Sequence, residues 1–511
     1  MKKILKLMFG QTSIIIILLV LQIAFLFTSA LKITEDEHFV VLNGILRAVS
    51  IFVMIYIING KGNSESKLAW IIQISVFPIL GTLLYLFIQG QKLPMIFNKE
   101  LKRMRRESSP YIKQDLTVLD EIGAIDRQKY NFIRYMNDYA DVPVFKNTEA
   151  VYYSLGEETW KAMLEEMEKA EKYIFLEYFI IGEGEMWQSI LDVLKRKAAQ
   201  GVDVRLMYDG MGCLTCLPYN YPRKLRQMGI RCQIFNPFRP LLSTIQNNRD
   251  HRKILIVDGK VGFIGGINLS DEYVNLTAPY GHWKDTAVML RGEAVFSLTV
   301  MFLELWQISV KRRVEDYEAF RPAYDDLKPM DGYVIPYGDS PFDDELVGET
   351  VYIDILSKAR DYVHITTPYM IIDREMITAL GTAAKSGVDV KIIVPHRADH
   401  WYAHAVAKAY YSELISRGIK LYEYMPGFIH SKSFVSDDET AVVGSINMDY
   451  RSLYLHFECA AWFYRHDVVK DIEEDFLKTL EKCRPITLES CKVRGIKKVF
   501  YAVLRVFAPM M

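Results

Sequence analysis

The sequence is poor in the features that identify several common classes of protein. Its 62 lysines and arginines and 63 aspartates and glutamates leave a net charge of −1, so no overall positive field favours nucleic acid as a partner. Its 6 cysteines are scattered. Cys213 and Cys216 have CxxC spacing, but no second pair completes a zinc site, and unpaired thiols suit a reducing compartment. The chain has no HExxH motif and no carboxylate cluster at ligand spacing, so we predict no metal and no other cofactor.

Charge is also missing from two long stretches near the N-terminus. Residues 7–31 and 68–91 contain no charged side chain, and each stretch is long enough to cross a hydrocarbon core of about 30 Å. A third apolar segment, residues 39–60, lies between them but carries Arg47. We therefore predict a membrane anchor over residues 1–92 with two or three transmembrane helices. Buried helices of a soluble domain are the alternative.

Basic residues follow the last of these apolar segments. Residues 92–106 contain six positive side chains and one negative side chain. By the positive-inside rule, this places the bulk of the chain on the cytoplasmic side of a membrane. Lys2, Lys3 and Lys6 favour the same side, and three full spans cannot satisfy both ends. The number of spans and the side of the N-terminus therefore stay open.

The C-terminal segment is basic as well. Residues 492–511 contain five basic residues and no acidic residue, and their apolar residues fall on one helical stripe. We predict a basic amphipathic helix over residues 491–511. It would lie either on anionic lipid or against the protein core.

One pattern occurs twice in the remaining sequence. HRKILIVD at 251–258 and HSKSFVSD at 430–437 both fit His-x-Lys-x4-Asp. Gly-Gly-Ile-Asn at 265–268 and Gly-Ser-Ile-Asn at 444–447 begin fourteen residues after each histidine. The register holds without a gap, which indicates a duplication and not a chance match.

The duplication extends upstream of the histidines. The matched blocks are 169–181 with 358–372, 197–209 with 382–395, and 225–235 with 414–424. In each copy, helices that end in glycine alternate with β-rich runs. We predict an α/β fold in which two pseudo-twofold lobes, each a mixed sheet flanked by helices, follow the membrane segments. The predicted domains after the anchor are a basic juxtamembrane linker (93–125), a first lobe (126–325), a second lobe (326–490) and the C-terminal helix.

The spacing within each motif predicts where its side chains point. Residues two apart on a strand share a face, so His251 and Lys253 project to the same side. His430 and Lys432 do the same in the second copy. A twofold relation between the lobes can bring both faces into one cleft. The alternative, that each motif is an ordinary hairpin of the core, would bury these cationic side chains without a compensating gain in free energy. Two aspartates, Asp258 and Asp437, lie an odd number of residues from their histidines, and we interpret them as braces at the turns.

A cleft with two histidines and two lysines suits a phosphodiester anion. One neutral histidine can attack phosphorus to form a phosphoramidate, and the other can donate a proton to the departing alkoxide. The lysines would hold the non-bridging oxygens. Asn268 and Asn447 can add neutral donors, and Ser445 can add a hydroxyl.

An attacking histidine needs its far nitrogen held by an acceptor. Asp285 and Glu458 precede apolar runs at comparable places in the two copies, and we predict that they orient the histidines. Surface acids near strand starts are the alternative. Glu177 and Tyr178 lie at a predicted strand end and are expected to line the cleft, as are their counterparts Pro368 and Tyr369.

The paired HxKxxxxD motifs with GGxN and GSxN resemble the phospholipase D superfamily. With the apolar N-terminal segments and TTPYMI at 366–371, the chain resembles the bacterial cardiolipin synthase branch over nearly its whole length. The resemblance implies transfer of a phosphatidyl group from one phosphatidylglycerol to the hydroxyl of another, with release of glycerol. His251 would be the nucleophile, with His430 as the acid and base, although the reverse assignment stays open. The resemblance also implies a multi-pass protein of the bacterial cell membrane with its lobes on the cytoplasmic side.

Other functions remain compatible with the sequence. A phospholipase D would use water as the acceptor, and another synthase would use serine or ethanolamine. A nuclease of the superfamily would need neither the apolar segments nor the near-neutral charge. A lipid-binding protein with inert motifs is the alternative outside the enzymes. Gly266, where the second copy has Ser445, makes the two halves chemically unequal.

Overall fold

The computed structural model describes residues 37–89, 92–238, 244–310, 316–324, 329–343, 345–492 and 495–510. The chain divides into two compact units. The first unit comprises the chain up to Phe97 together with residues 238–247 and 502–511. The second unit comprises residues 98–237 and 248–501 and contains both histidine motifs.

Three apolar helices dominate the first unit. They are α1 (Glu37–Asn59), α2 (Ser64–Val76) and α3 (Pro78–Gln89). Val53 and Ile57 of α1 pack with Ile74 of α2 and Tyr85 of α3 in one buried cluster. Gly81 lets α3 approach α2 closely, because a Cβ atom at this position would lie 2.9 Å from the Cα atom of Ile74.

The apolar run at 68–91, predicted as one transmembrane helix, is divided between α2 and α3. A residue before proline is driven away from helical dihedrals, and Phe77, before Pro78, has φ −126° and ψ 74°. Among the residues that the structure describes, none of the helices combines the length and apolarity needed to cross a bilayer. The apolar run at 7–31 lies outside the described residues.

The range predicted as a basic linker contains helices. These are α4 (Lys92–Ser108) and α5 (Leu116–Ile125), and α6 (Arg127–Ala140) follows directly. Asp126 separates α5 from α6 because its carboxylate accepts hydrogen bonds from the first free backbone N–H groups of α6, those of Gln128 and Lys129.

The first lobe is built on a seven-stranded sheet. Its elements are β1 (Thr148–Tyr153), α7 (Gly156–Glu168), β2 (Tyr173–Tyr178), α8 (Glu185–Ala199), β3 (Asp203–Asp209), α9 (Tyr221–Gln227), β4 (Arg231–Phe235), β5 (Lys253–Val257), β6 (Val261–Gly265), β7 (His282–Lys284), β8 (Ala287–Gly292) and α10 (Val295–Val310). The strand order is β1-β8-β6-β5-β2-β3-β4, with β2, β3 and β4 parallel. Strand β7 lies outside this sheet.

The second lobe is built on an eight-stranded sheet. Its elements are β9 (Tyr333–Asp339), α11 (Val347–Lys358), β10 (Tyr362–Thr366), β11 (Met370–Ile371), α12 (Arg374–Lys385), β12 (Asp389–Pro395), α13 (Trp401–Ser416), β13 (Lys420–Tyr424), β14 (Gly427–Ile429), β15 (Ser433–Ser436), β16 (Thr440–Gly444), β17 (Met448–Asp449), α14 (Tyr450–Tyr454), β18 (Glu458–Tyr464), α15 (Val468–Leu480) and β19 (Cys483–Pro485). The order is β19-β13-β12-β10-β15-β16-β18-β9. The C-terminal basic segment contains α16 (Ile496–Phe507).

The two sheets share one topology. Without β19, the second order repeats the first, with β10, β12 and β13 in the places of β2, β3 and β4. The predicted α/β fold with two like lobes is therefore confirmed. Helix α10 is apolar on nearly all sides, as expected for a fully buried helix, and it contacts both β5 of the first sheet and β9 of the second.

The topology places each histidine motif at an equivalent sheet edge. Strand β5 runs antiparallel to β2, and Lys253 pairs with Tyr178 at the carboxyl end of β2. Strand β15 likewise runs antiparallel to β10, and Ser433 pairs with Thr366. His251 and His430 therefore lie just beyond the carboxyl ends of the parallel strands, where ligands bind in open α/β sheets.

Candidate active site

Each histidine segment is hydrogen-bonded to the other lobe. The backbone N–H of His251 donates to the carbonyl of Phe457 at 2.9 Å, and that of His430 donates to the carbonyl of Lys284 at 2.7 Å. Strand β14, just before His430, pairs in parallel with β7 of the first lobe. The backbone thus fixes each histidine beside an acidic segment of the opposite lobe.

The side chains complete a crossed arrangement. His251 Nδ1 hydrogen-bonds to both carboxylate oxygens of Glu458, at 2.9 and 3.0 Å. His430 Nδ1 hydrogen-bonds to Asp285 Oδ2 at 2.5 Å. Both carboxylates are fully buried. Each imidazole is thereby held through Nδ1, which leaves Nε2 for chemistry.

The motif lysines lie against their own histidines. Lys253 Nζ donates to the carbonyl of His251 at 2.5 Å. Lys432 Nζ also donates to the carbonyl of His430, and it lies 2.8 Å from that residue's Nδ1. Burial lowers the pKa of Lys253 to about 8 and that of Lys432 to about 7. An anion bound in the cleft would favour the charged form of both.

Both histidines favour the neutral form. Burial, followed by the charge of Lys432, lowers the pKa of His430 to about 4. Burial and then the charges of Lys253 and Lys432 lower the pKa of His251 well below its ordinary value. A neutral imidazole has the free lone pair that a nucleophile requires.

The motif aspartates lie at the far ends of their strands. Asp258 accepts hydrogen bonds from the backbone N–H groups of residues 171–173, at 2.7–2.8 Å. Asp437 accepts the equivalent bonds from residues 360–362, at 2.8–3.0 Å. Both have positive φ, 53° and 55°, which aspartate tolerates at turns. These contacts brace the hairpins and do not reach the histidines.

The small-residue turns differ between the lobes. Ser445 Oγ donates to Glu458 Oε2 at 2.5 Å. A Cβ atom at the matching Gly266 would lie only 2.2 Å from Asp285 Oδ1. Glycine therefore leaves room for the shorter carboxylate in one lobe, and serine adds a donor to the longer carboxylate in the other.

The two asparagines also differ. Asn268 accepts from the backbone N–H of Ile180 at 3.0 Å and donates to the hydroxyl of Tyr273 at 2.7 Å, so its amide serves the structure. Asn447 is buried, and within the part of the chain that the structure describes its Oδ1 has no hydrogen-bond partner.

Sequence comparison identifies this architecture. A family described as "Cardiolipin synthase, PLD-like domain" matches residues 163–297 and 352–480, which include both motifs and both carboxylates. The chain belongs to the cardiolipin synthase family. A second family, described as "Phospholipase_D-nuclease N-terminal", matches residues 48–90.

Individual relatives of this cardiolipin synthase family member cover most of its length. A "Cardiolipin synthase" of Geobacillus sp. WCH70 is 32% identical over 91% of this chain and 93% of the relative. An "Uncharacterized protein" of Streptococcus mutans is 45% identical over 90% of this chain and 99% of the relative. The crystal structure of phosphatidylserine synthase from Haemophilus influenzae has 15% identity and a TM-score of 0.57, and it covers 75% of this chain and 99% of that structure. That likeness supports the fold.

Two of the expected cleft residues lie elsewhere. Glu177 is fully buried on β2, 3.7 Å from Arg252, and not beside either histidine. It pairs with Ile254 in the sheet, so it faces away from Lys253. Tyr369 donates its hydroxyl hydrogen to Asp399, and the ring of Phe428 lies between Tyr369 and His430.

Sequence reasoning missed two rings beside the histidines of this family member. His456 lies 5.5 Å from His251 between ring centroids, and Trp283 lies 5.3 Å from His430. The signal was available, because each ring occurs two residues before its carboxylate, in HWKD and in LHFE. Within the described ranges, His251, His456 and Glu458 are also the group whose ligand atoms, all within 4.8 Å of one another, could hold a metal ion.

Proposed function

We propose that this protein is a phosphatidyltransferase that makes cardiolipin and glycerol from two phosphatidylglycerol molecules through a phosphohistidine intermediate. The observation that carries the proposal is the crossed pairing of His251 with Glu458 and His430 with Asp285. It provides two oriented imidazoles, backed by two lysines, in one buried site. Family membership supports a phospholipid as the substrate.

In the first half-reaction, neutral His251 attacks phosphorus through Nε2. A P–N bond forms and the P–O bond to the glycerol headgroup breaks. His430, which takes up a proton when the anionic lipid binds, donates that proton to the departing glycerol oxygen. Asp285 stabilises the imidazolium of His430 before the transfer, as the carboxylate of a triad does.

In the second half-reaction, the terminal hydroxyl of another phosphatidylglycerol loses its proton to His430. Its oxygen attacks phosphorus, the P–N bond breaks, and His251 returns to its neutral form. The ammonium groups of Lys253 and Lys432 hold the non-bridging oxygens in both steps and offset their charge in the transition states. The amide oxygen of Asn447, which has no partner among the described residues, would accept a hydrogen bond from a hydroxyl of the substrate.

The apolar segments and the basic residues at 92–106 support a place for the protein in the bacterial cell membrane. We infer that the catalytic lobes lie on the cytoplasmic side and take anionic lipid from the adjacent leaflet.

Product analysis tests the proposal. Full-length protein in vesicles is given phosphatidylglycerol labelled in the headgroup glycerol and in the phosphate. Labelled cardiolipin and free glycerol in equal amounts are expected, together with an acid-labile phosphoprotein after a rapid quench. Phosphatidic acid as the only lipid product would show a hydrolase. Conversion only when serine or ethanolamine is added would show a different synthase. If no product forms, the lipid-binding protein with inert motifs becomes the favoured function.

A further inference from the structure

The second compact unit, which contains both histidine motifs, exposes large apolar side chains at the sheet edge where the candidate site lies. They follow the carboxyl ends of strands β3, β12 and β13, and we call them the rim: Met211, Leu214, Tyr219, Trp401, Tyr402 and Met425. Tyr219 is fully exposed and Trp401 is 70% exposed. Exposed apolar clusters of this kind mark surfaces that contact another apolar phase or another protein.

Short chains of contacts connect both sides of the rim to the histidines. On one side, a Cβ atom on Gly212, between Met211 and Leu214, would lie 2.2 Å from the carbonyl oxygen of Phe179. The ring of Phe179 lies 4.9 Å from that of His251. This segment of the rim therefore borders the first catalytic histidine.

On the other side, Asp399, two residues before Trp401, accepts a hydrogen bond from Tyr369. The ring of Tyr369 lies 6.5 Å from that of Phe428, and Phe428 lies 5.8 Å from His430. The two histidines themselves are only 7% and 5% exposed. Each side of the rim thus lies within a few contacts of one of these buried histidines.

The charges around the rim suit an anionic surface. Residues 210–222 contain no charged side chain, and the exposed Arg223 and Lys224 follow them. Arg397 is exposed four residues before Trp401, and Asp399, which lies between them, is partly buried and accepts the hydrogen bond of Tyr369. Tryptophan and tyrosine with flanking basic residues prefer the headgroup level of a bilayer.

We propose that the rim docks on the surface of an anionic phospholipid bilayer and inserts its apolar side chains at the headgroup level. This inference rests on the proposed function for the identity of the lipid. A docked rim lets the lipid phosphate enter the site while the acyl chains stay in the bilayer. It also limits the water that reaches the phosphohistidine, which favours transfer to a lipid hydroxyl over hydrolysis.

Photo-crosslinking tests where the rim lies. A benzophenone amino acid is placed at Leu214 or at Trp401 in the full-length protein, reconstituted in vesicles of phosphatidylglycerol and phosphatidylcholine. Ile125 is the matched control, because it is exposed and adjoins Asp126, which lines a cavity with Asp437 at the opposite sheet edge. Crosslinks to lipid are expected from 214 and 401 but not from 125. Equal lipid crosslinking from 125 would overturn the proposal, and so would crosslinks from 214 and 401 to a second protein chain.

Kinetics give an independent test. Leu214→Ser with Trp401→Ser should raise the KM for phosphatidylglycerol in vesicles on the order of ten-fold, because two apolar groups no longer enter the bilayer. Turnover of a short-chain phosphatidylglycerol dissolved as monomers should not change, and Ile125→Ser should change neither. An unchanged vesicle KM overturns the docking proposal. If the wild-type product is not cardiolipin but the crosslinks are as expected, the proposed reaction fails and docking stands.

Discussion

The two lobes share a strand order and a motif, yet they differ around the imidazoles of His251 and His430. The carboxylate facing His430 is Asp285, which sits against Gly266 with no room for another side chain. The carboxylate facing His251 is Glu458, which also accepts a hydrogen bond from Ser445. A tryptophan ring flanks one histidine and a histidine ring flanks the other.

The comparison shows which features of the duplicated motif are the same in both lobes and which features differ. The backbone positions of histidine, lysine, aspartate and the small-residue turn are the same in both lobes, because they fix where each imidazole lies. The groups that contact the two imidazoles have diverged. Two imidazoles in identical surroundings would be equally reactive toward phosphorus. Different surroundings allow one imidazole to act as the nucleophile and the other to transfer protons.

Replacing either catalytic histidine should have the largest effect. His251→Asn should lower cardiolipin formation on the order of 10⁴-fold or more, because no covalent intermediate can form. His430→Asn should lower cardiolipin formation about 10²–10⁴-fold, because the general acid and base is lost. Radiometric product assays and the rapid-quench phosphoprotein yield measure the two steps.

His364→Asn is the matched control for these variants. His364 Nδ1 also hydrogen-bonds to a buried carboxylate, that of Glu473, at 2.9 and 3.0 Å. Its ring lies between Tyr362 and Phe476 and not at the site. Folded His364→Asn should keep its activity. A loss comparable to that of His251→Asn would mean that buried histidines matter here for structure alone.

Replacing the carboxylates that are proposed to orient the histidines should have the next largest effect on activity. Asp285→Asn should reduce kcat on the order of 10³–10⁴-fold with circular dichroism and Tm nearly unchanged, because the amide favours the wrong tautomer of His430. Glu458→Gln should cost less, because Ser445 still contacts the amide and holds it in place. Full activity of Asp285→Asn would reject the orienting role.

The pH dependence of anion binding should be intermediate in size. The ammonium groups of Lys432 and Lys253 are charged below their pKa values of about 7 and about 8. Tungstate binding by calorimetry should therefore weaken by up to about ten-fold between pH 7 and 8, and more steeply above about pH 8, where both ammonium groups lose their protons. Lys432→Arg, which stays charged, should flatten the profile between pH 7 and 8. A profile that is flat in the wild-type protein would show that the ammonium charges do not hold the anion.

The small-residue turns should give the smallest effects. Ser445→Ala removes one donor to Glu458 and should lower kcat only a few-fold. Gly266→Ala pushes a methyl group against Asp285 and should cost about 1–3 kcal/mol of stability by overpacking, measured as a lower denaturation midpoint in urea. If the two substitutions cost the same in both measurements, the lobes are less different than the contacts indicate.

Much of the fold could be predicted because the duplication is a local signal. The motif register, the glycine-ended helices and the β-rich runs repeat in order, and together they determine a repeated α/β topology. The break at Phe77–Pro78 was also readable, since proline disfavours helix at the residue before it. The length of the apolar run by itself predicted one continuous helix.

The site was less accessible to sequence reasoning because it depends on how the lobes meet. Asp285 and Glu458 were identifiable as candidates from their places before apolar strands. Their exchange between lobes depends on the backbone hydrogen bonds that join His251 to Phe457 and His430 to Lys284, more than 140 residues away in the chain. Glu177 was misplaced because alternation along β2 decides its face, and its neighbour Tyr178 takes the opposite one.

The exchange of carboxylates also has a consequence during synthesis. A ribosome that has made only the first 300 residues has produced a strand-end histidine with no acid to orient it, while Asp285 has nothing to orient. On the proposed mechanism, a product that ends before His430 and Glu458 is therefore inert toward lipids. On that mechanism, reactivity arises only after the last third of the polypeptide has been translated and has folded against the first lobe.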